Sequence, residues 1–193
     1  MFSSSLTWLT PRCGRPYGGR CWFVRKTIEV IQCEFFNEHI SVLCFKFQNV
    51  LFCIIGVYLP FDDKSSFAMN EYFSLMALLR ELVFEYSRQN YSVLIGGDFN
   101  ADVNRGNRFD VLLNSFISEN NFLLVDQEFS SGLDYTYSKR VGTNNVYRAF
   151  IDHCILTSKE KILNYCCQVL YDDVNNSDHN ALKLSLTFRG TFR

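Results

Sequence analysis

Two short clusters carry the residue types that chemistry on a charged substrate needs: Gly97-Asp98-Phe99-Asn100 and Ser177-Asp178-His179-Asn180. Asp98 and Asn100 stand two apart, and the period of two in extended chain would aim both side chains the same way, so they could share one ligand. Gly96 and Gly97 remove bulk where a strand ends, which would let a large anion approach the backbone. Gly, Asp and Asn are equally the residues of turns, so this cluster alone leaves a plain turn open. Ser177-Asp178-His179 adds an acid beside a histidine, the side chain suited to general-base work near neutral pH. Asp152 supplies a third part. It interrupts the apolar runs Ala149-Phe150-Ile151 and Cys154-Ile155-Leu156, where an ionised carboxylate is costly unless it meets a donor such as an imidazole. A carboxylate that orients His179 would fix its tautomer and stabilise its protonated form.

The elements that must position these residues read as follows. Val50 to Leu59 is too short to span a bilayer and rich in branched residues, which predicts a central strand covered on both faces. Before it, Cys21 to Ile28 and Ser41 to Phe47, with the turn Asn37-Glu38-His39 between them, predict antiparallel strands. Tyr72, Leu75, Met76, Leu79, Leu82, Val83 and Tyr86 recur at helical spacing, with Glu71, Glu81, Glu85 and Arg88 largely opposite, and predict an amphipathic helix on the sheet. Tyr91 to Ile95 reads as a buried strand stopping at Gly96-Gly97, and Phe109, Leu112, Leu113 and Phe116 mark a second helix. Tyr147 to Leu156, Leu163 to Leu170 and Ala181 to Phe188 complete the strands. Strand-rich ends around two helices predict an α+β class, a layered α/β sandwich of two β-sheets flanked by helices.

Composition narrows the function. The 193 residues are 48% hydrophobic, with 19 Phe and 3 Pro, enough for one packed core and one domain over 1–193. A net charge of −1 offers no global field for a polyanion, so any nucleic-acid contact must be local. Arg12, Arg15, Arg20, Arg25 and Lys26, with no acidic residue before Ile28, are the local candidate; an ordinary solvated segment explains them equally. The eight cysteines form no CxxC pair and read as buried thiols rather than zinc ligands or a disulfide framework. No signal-peptide pattern and no apolar run near ~20 residues is present, which favours a soluble, reducing, intracellular setting without membrane contact.

Taken in order, Tyr58-Leu59-Pro60, Gly97-Asp98-Phe99-Asn100, Tyr135-Thr136-Tyr137, Ile151-Asp152-His153 and Ser177-Asp178-His179 resemble the motifs of the endonuclease/exonuclease/phosphatase superfamily. The Gly14-Arg15-Pro16-Tyr17-Gly18-Gly19 run is most similar to the endonuclease of non-LTR retrotransposons. That resemblance covers roughly Gly14 to Phe188 and implies a DNase-like fold and Mg²⁺-dependent (or Mn²⁺-dependent) phosphodiester hydrolysis, with DNA nicked as the substrate. It also implies a reverse transcriptase domain in the parent polypeptide and a nuclear location. Other phosphoesters on the same scaffold, or a catalytically inactive nucleic-acid-binding module, stay open beside it.

The resemblance further assigns roles. Asp98 would polarise the attacking water or protonate the leaving oxygen, and Asn100 would bind a phosphate oxygen with help from Tyr58. His179, held by Asp152, would contact the phosphate or act as base. Asp98, Asn100 and Asp178 would form the metal site, and Thr136, with Asn100 and His179, would meet the substrate on a loop shared with Tyr137. For Thr136 and Tyr137 an ordinary strand with an aromatic pair is the competing reading, and His39 and His153 read as structural. Family members carry an Asn and then a metal-binding Glu on strands before the Gly-Arg-Pro segment. Glu29, Glu34 and Glu38 lie after that segment, so the role passes to no residue here, and the expectation is an N-terminally incomplete domain lacking its first strands, with activity conditional on that carboxylate.

Overall fold

The structure, a computed structural model, describes residues 20–130, 134–142, 145–160, 162–172 and 174–188. Cys13, Arg12, Arg15 and the Gly14 to Gly19 run lie outside them. In chain order the elements are β1 (Glu29–Phe35), β2 (Ile40–Phe47), β3 (Val50–Tyr58), α1 (Ser66–Arg88), β4 (Ser92–Asp98), α2 (Arg108–Glu119), β5 (Leu123–Leu124), α3 (Val125–Phe129), β6 (Tyr137–Val141), β7 (Asn145–Ala149), β8 (Asp152–Leu156), β9 (Ile162–Leu170) and β10 (Ala181–Phe188).

A six-stranded sheet runs β1-β2-β3-β4-β8-β5, and β10 pairs with β9, β6 with β7. β3 and β4 are parallel, which demands a crossover, and α1 provides it. Ser65 starts that helix by accepting a hydrogen bond from the Ala68 amide at 3.0 Å, satisfying one of the donors a helix end leaves open. The apolar stripe of α1, from Tyr72 to Tyr86, is buried as its spacing predicts and joins Phe109, Leu113 and Phe116 of α2 over one face of the sheet. Because side chains alternate along a strand, Cys53, Ile55 and Val57 serve this helix-covered core. The opposite face of the sheet, with Leu94, Cys154 and Leu156, meets Leu182, Leu184 and Leu186, the inward set of β10. Helices, large sheet and the β9–β10 pair thus stack as an α+β sandwich.

Two strand predictions shift. Cys21 to Ile28 forms no strand; the partner of β2 is Glu29–Phe35, whose Glu29, Gln32 and Glu34 disguised a half-exposed edge. The run from Tyr147 to Leu156 is two strands in two sheets. The break arises because side chains capture the amides between them: Asp102 Oδ2 takes the Phe150 N–H, and Thr136 Oγ1 takes those of Ile151 and Asp152, each at 3.0 Å. Four of the seven cysteines among the described residues, Cys44, Cys53, Cys154 and Cys167, are buried free thiols, whereas Cys21 is exposed. Among the described residues no helix is long and apolar enough to cross a membrane.

Candidate functional site

Strand register builds the site. Tyr58 ends β3 opposite Asp98, the last residue of β4, and Asp98 stands opposite Asp152, the first of β8. Directly opposed residues share a sheet face, so three candidate side chains form one row across three strands. β4 does not stop at Gly96-Gly97 as the sequence suggests; it continues through both to Asp98. Gly97 is required there, because its φ is +137° and a Cβ would stand 2.1 Å from the Val57 carbonyl oxygen. Gly96 meets no such obstacle and opens onto the inter-sheet space.

Beyond Asp98 the chain is not extended. Asn100 takes a left-handed φ of +50°, which Asn tolerates better than most residues. Its amide donates to Asp98 Oδ1 at 2.8 Å, and its side-chain Nδ2 donates to the Leu59 carbonyl at 2.7 Å. Asp98 and Asn100 therefore converge through an Asx turn, not through strand alternation. Tyr72 secures this turn from α1, its hydroxyl donating to the Phe99 carbonyl at 3.1 Å.

His179 arrives from the segment before β10. The Ser138 amide donates to the Asp178 carbonyl at 2.8 Å and the Asn180 amide to the Thr136 carbonyl at 2.7 Å, so 178–180 pairs antiparallel with the start of β6. The ring of Tyr137 lies 5.0 Å from the imidazole, and Ser177 and Asn175 hold the turn through the His179 amide and carbonyl. His179 Nδ1 is then 2.9 Å from Asp152 Oδ2, and Nε2 is 4.0 Å from Asp98 Oδ2. Beside the row lies a cleft of about 760 Å³ between the sheets, lined by Trp22, Ile54, Gly96, Gly97, Asp152 and His179 among others.

The electrostatics follow from this packing. Burial, with Asp152 close by, pushes the Asp98 carboxyl up to about 7. The hydrogen bond to Asp152, aided by the charges of Asp98 and Asp178, raises His179 above the ordinary imidazole value against the opposing effect of its burial. The row can hold and exchange a proton near neutrality.

Comparison with known proteins bears on this architecture. No protein-family model matches the sequence, and no curated protein matches it. Solved structures do match. The endonuclease domain of TRAS1, a telomere-specific non-LTR retrotransposon, superposes with a TM-score of 0.64 at 16% identity over 84% of this chain and 70% of that one. An endonuclease/exonuclease/phosphatase family protein from Bacteroides thetaiotaomicron gives 0.55 at 19% over 78% and 55%. The human Nocturnin catalytic domain with bound sulfate gives 0.59 at 16% over 86% and 62%. The chain has the endonuclease/exonuclease/phosphatase fold.

Within that fold the structure brings Tyr58, Asp98, Asn100, Asp152 and His179 together. Ligand atoms of Asp98, Asp152 and His179 lie within 4.8 Å of one another, a set able to hold a metal ion. Asp178, expected as a ligand, is not in that set. Its charge helps to raise His179. Thr136, expected to touch substrate, is fully buried and spends its hydroxyl oxygen on the Ile151 and Asp152 amides, so it places Asp152 instead. Tyr137 opens β6, the strand reading rather than the loop. Tyr72, Asn175 and Trp22 stand outside the motifs that mark the site in the sequence. A hydroxyl inside an apolar stripe is the one available signal for Tyr72.

For a divalent cation, the donor set meets a direct test. Two carboxylates face one another across β4 and β8, and their mutual repulsion is part of what holds Asp98 at about 7. A hard cation that takes one or two carboxylates and completes its shell with water and phosphate oxygens fits that arrangement.

Proposed function

We propose that the chain hydrolyses a phosphodiester of nucleic acid with Mg²⁺ or Mn²⁺, DNA being the substrate and a nick of the retrotransposon-endonuclease kind the product. The observation that carries this reading is the row Tyr58-Asp98-Asp152 capped by a histidine whose second nitrogen faces Asp98 at 4.0 Å. The same reading places a reverse transcriptase in the parent polypeptide and the reaction in the nucleus.

Each residue then has a task. His179, held and favoured in its protonated form by Asp152, donates Nε2–H to a non-bridging phosphate oxygen as charge builds there. Asp98 takes the proton of the attacking water. Asn100 and the Tyr58 hydroxyl bind phosphate oxygens from either side of Asp98. A dication held by Asp98 and Asp152, beside the Asn100 amide, would neutralise charge on the phosphate and leaving oxygen. The exposed β6–β7 hairpin, with Lys139, Arg140 and Arg148, lies beside His179 through Tyr137 and offers local positive charge to a backbone.

Nicking of supercoiled plasmid with Mg²⁺ or Mn²⁺ tests the reading. Metal-dependent nicking that disappears in Asp98→Asn supports it. Intact plasmid alongside turnover of a non-nucleic-acid phosphodiester moves the substrate class, and nicking equal in Asp98→Asn and the parent chain removes the proposed chemistry.

A further inference from the structure

A second cluster lies on the other side of the β3 end. His39 directly precedes β2 and grips Tyr58 twice. The Tyr58 amide donates to the His39 carbonyl at 2.9 Å, and His39 Nδ1 lies 2.7 Å from the Tyr58 carbonyl oxygen. A carbonyl only accepts, so Nδ1 carries the proton and Nε2 of the neutral ring presents its lone pair. That nitrogen is 3.5 Å from Glu71 Oε1, on α1, and 3.9 Å from Glu38 Oε1. The His39 side chain is 15% exposed and Glu71 32%, while Glu38, at 85% and within the field of Arg20, is the adjustable member.

These separations exceed the roughly 2.7–3.2 Å of an N–H···O hydrogen bond. They approach the ~3.3–3.6 Å that separates two ligands of one tetrahedral ion with metal–ligand bonds of ~2.0–2.2 Å. A backbone carbonyl on the far nitrogen is also the usual device that orients a metal-binding imidazole. We propose that His39 Nε2, Glu71 and Glu38 bind a transition-metal dication of the zinc class, at a site separate from Asp98, Asp152 and His179. An imidazole ligand, with carboxylates only at its side, selects against Mg²⁺ and for zinc-like ions. Because His39 holds both backbone groups of Tyr58, occupancy fixes the end of β3 from which the catalytic row begins.

The test uses the full chain carrying Asp98→Asn and His179→Ala, so that the other cluster cannot contribute and the result stands whether or not the chain is a nuclease. Co²⁺ serves as the spectroscopic probe and Zn²⁺ as its competitor. The expected result is one tetrahedral Co²⁺ absorption per chain, without a thiolate charge-transfer band, displaced by Zn²⁺. It is lost in His39→Ala and weakened at least ~10-fold in Glu71→Gln, a helix-surface change that leaves the His39–Tyr58 bonds intact should His39→Ala not fold. Binding unchanged in Glu71→Gln, a thiolate band, or no binding below about 1 mM Co²⁺ overturns the site.

Discussion

β8 begins with two consecutive residues that each join a histidine–aspartate pair, and the two pairs do opposite things. Asp152 points to one face of the sheet and holds His179; His153 points to the other and is held by Asp126. His153 is fully buried, with Nδ1 2.8 Å from Asp126 Oδ2 and Nε2 3.0 Å from the Ala101 carbonyl, and Asp126 Oδ1 also accepts the Cys154 amide. Burial pushes that imidazole down, but Asp126 and the Ala101 carbonyl together raise it. Every polar atom is answered, and the pair ties β8 to α3 and the Asn100 loop. At His179 only Nδ1 has a close partner; Nε2, at 4.0 Å from Asp98, faces the row where a substrate would sit. The chemical pair is the same. On the proposed function, what separates structure from reactivity is whether the second nitrogen has somewhere to go.

The comparison can be broken in four places. The largest effect belongs to His179→Ala, expected to cost ~10²–10⁴ in kcat for DNA nicking while circular dichroism and melting temperature stay near those of the parent chain. Asp126→Ala should do the reverse. The His153–Asp126 pair is broken and the Cys154 amide loses its acceptor, which costs about 3–5 kcal/mol and, at roughly 2–4 °C per kcal/mol, lowers the calorimetric melting temperature by about 6–20 °C. Thr136→Val should do some of both, costing ~1–3 kcal/mol for each of two orphaned amides and reducing kcat through a displaced Asp152, with Thr136→Ser restoring both.

The smallest effect is a pH slope. Asp98 has a folded pKa of about 7 against the ordinary carboxylate value of 3.8, so its ionisation is disfavoured by folding and stability falls as pH rises through that window. His179, raised in the fold, contributes stability that is present below about 6.5 and lost as pH rises through its folded value. Both act in one direction. The metal-free melting temperature should fall by several degrees from pH 5 to 8, and Asp98→Asn should flatten the slope.

Much of this was legible because it is periodic or local. The stripe from Tyr72 to Tyr86 declares α1, and Asp152 amid apolar neighbours declares a partner. The Gly97-Asp98-Phe99-Asn100 and Ser177-Asp178-His179 clusters announce themselves by residue type. What was not legible depends on atoms far apart in sequence. Thr136 looks like a loop hydroxyl until its two amide partners, 15 and 16 residues away, show that it splits β7 from β8. Glu29, Gln32 and Glu34 hid an edge strand whose existence depends on pairing with β2. Gly97 reads as a turn and is a strand residue, for a reason that lies in the Val57 carbonyl of the next strand.

The most direct measurement compares His179→Gln with His153→Gln, assaying Mg²⁺-dependent or Mn²⁺-dependent plasmid nicking about ten degrees below each protein's own melting temperature. His179→Gln is expected to melt like the parent and fail to nick, whereas His153→Gln is expected to melt much lower but nick at near the parental rate. Parental nicking by His179→Gln would contradict this.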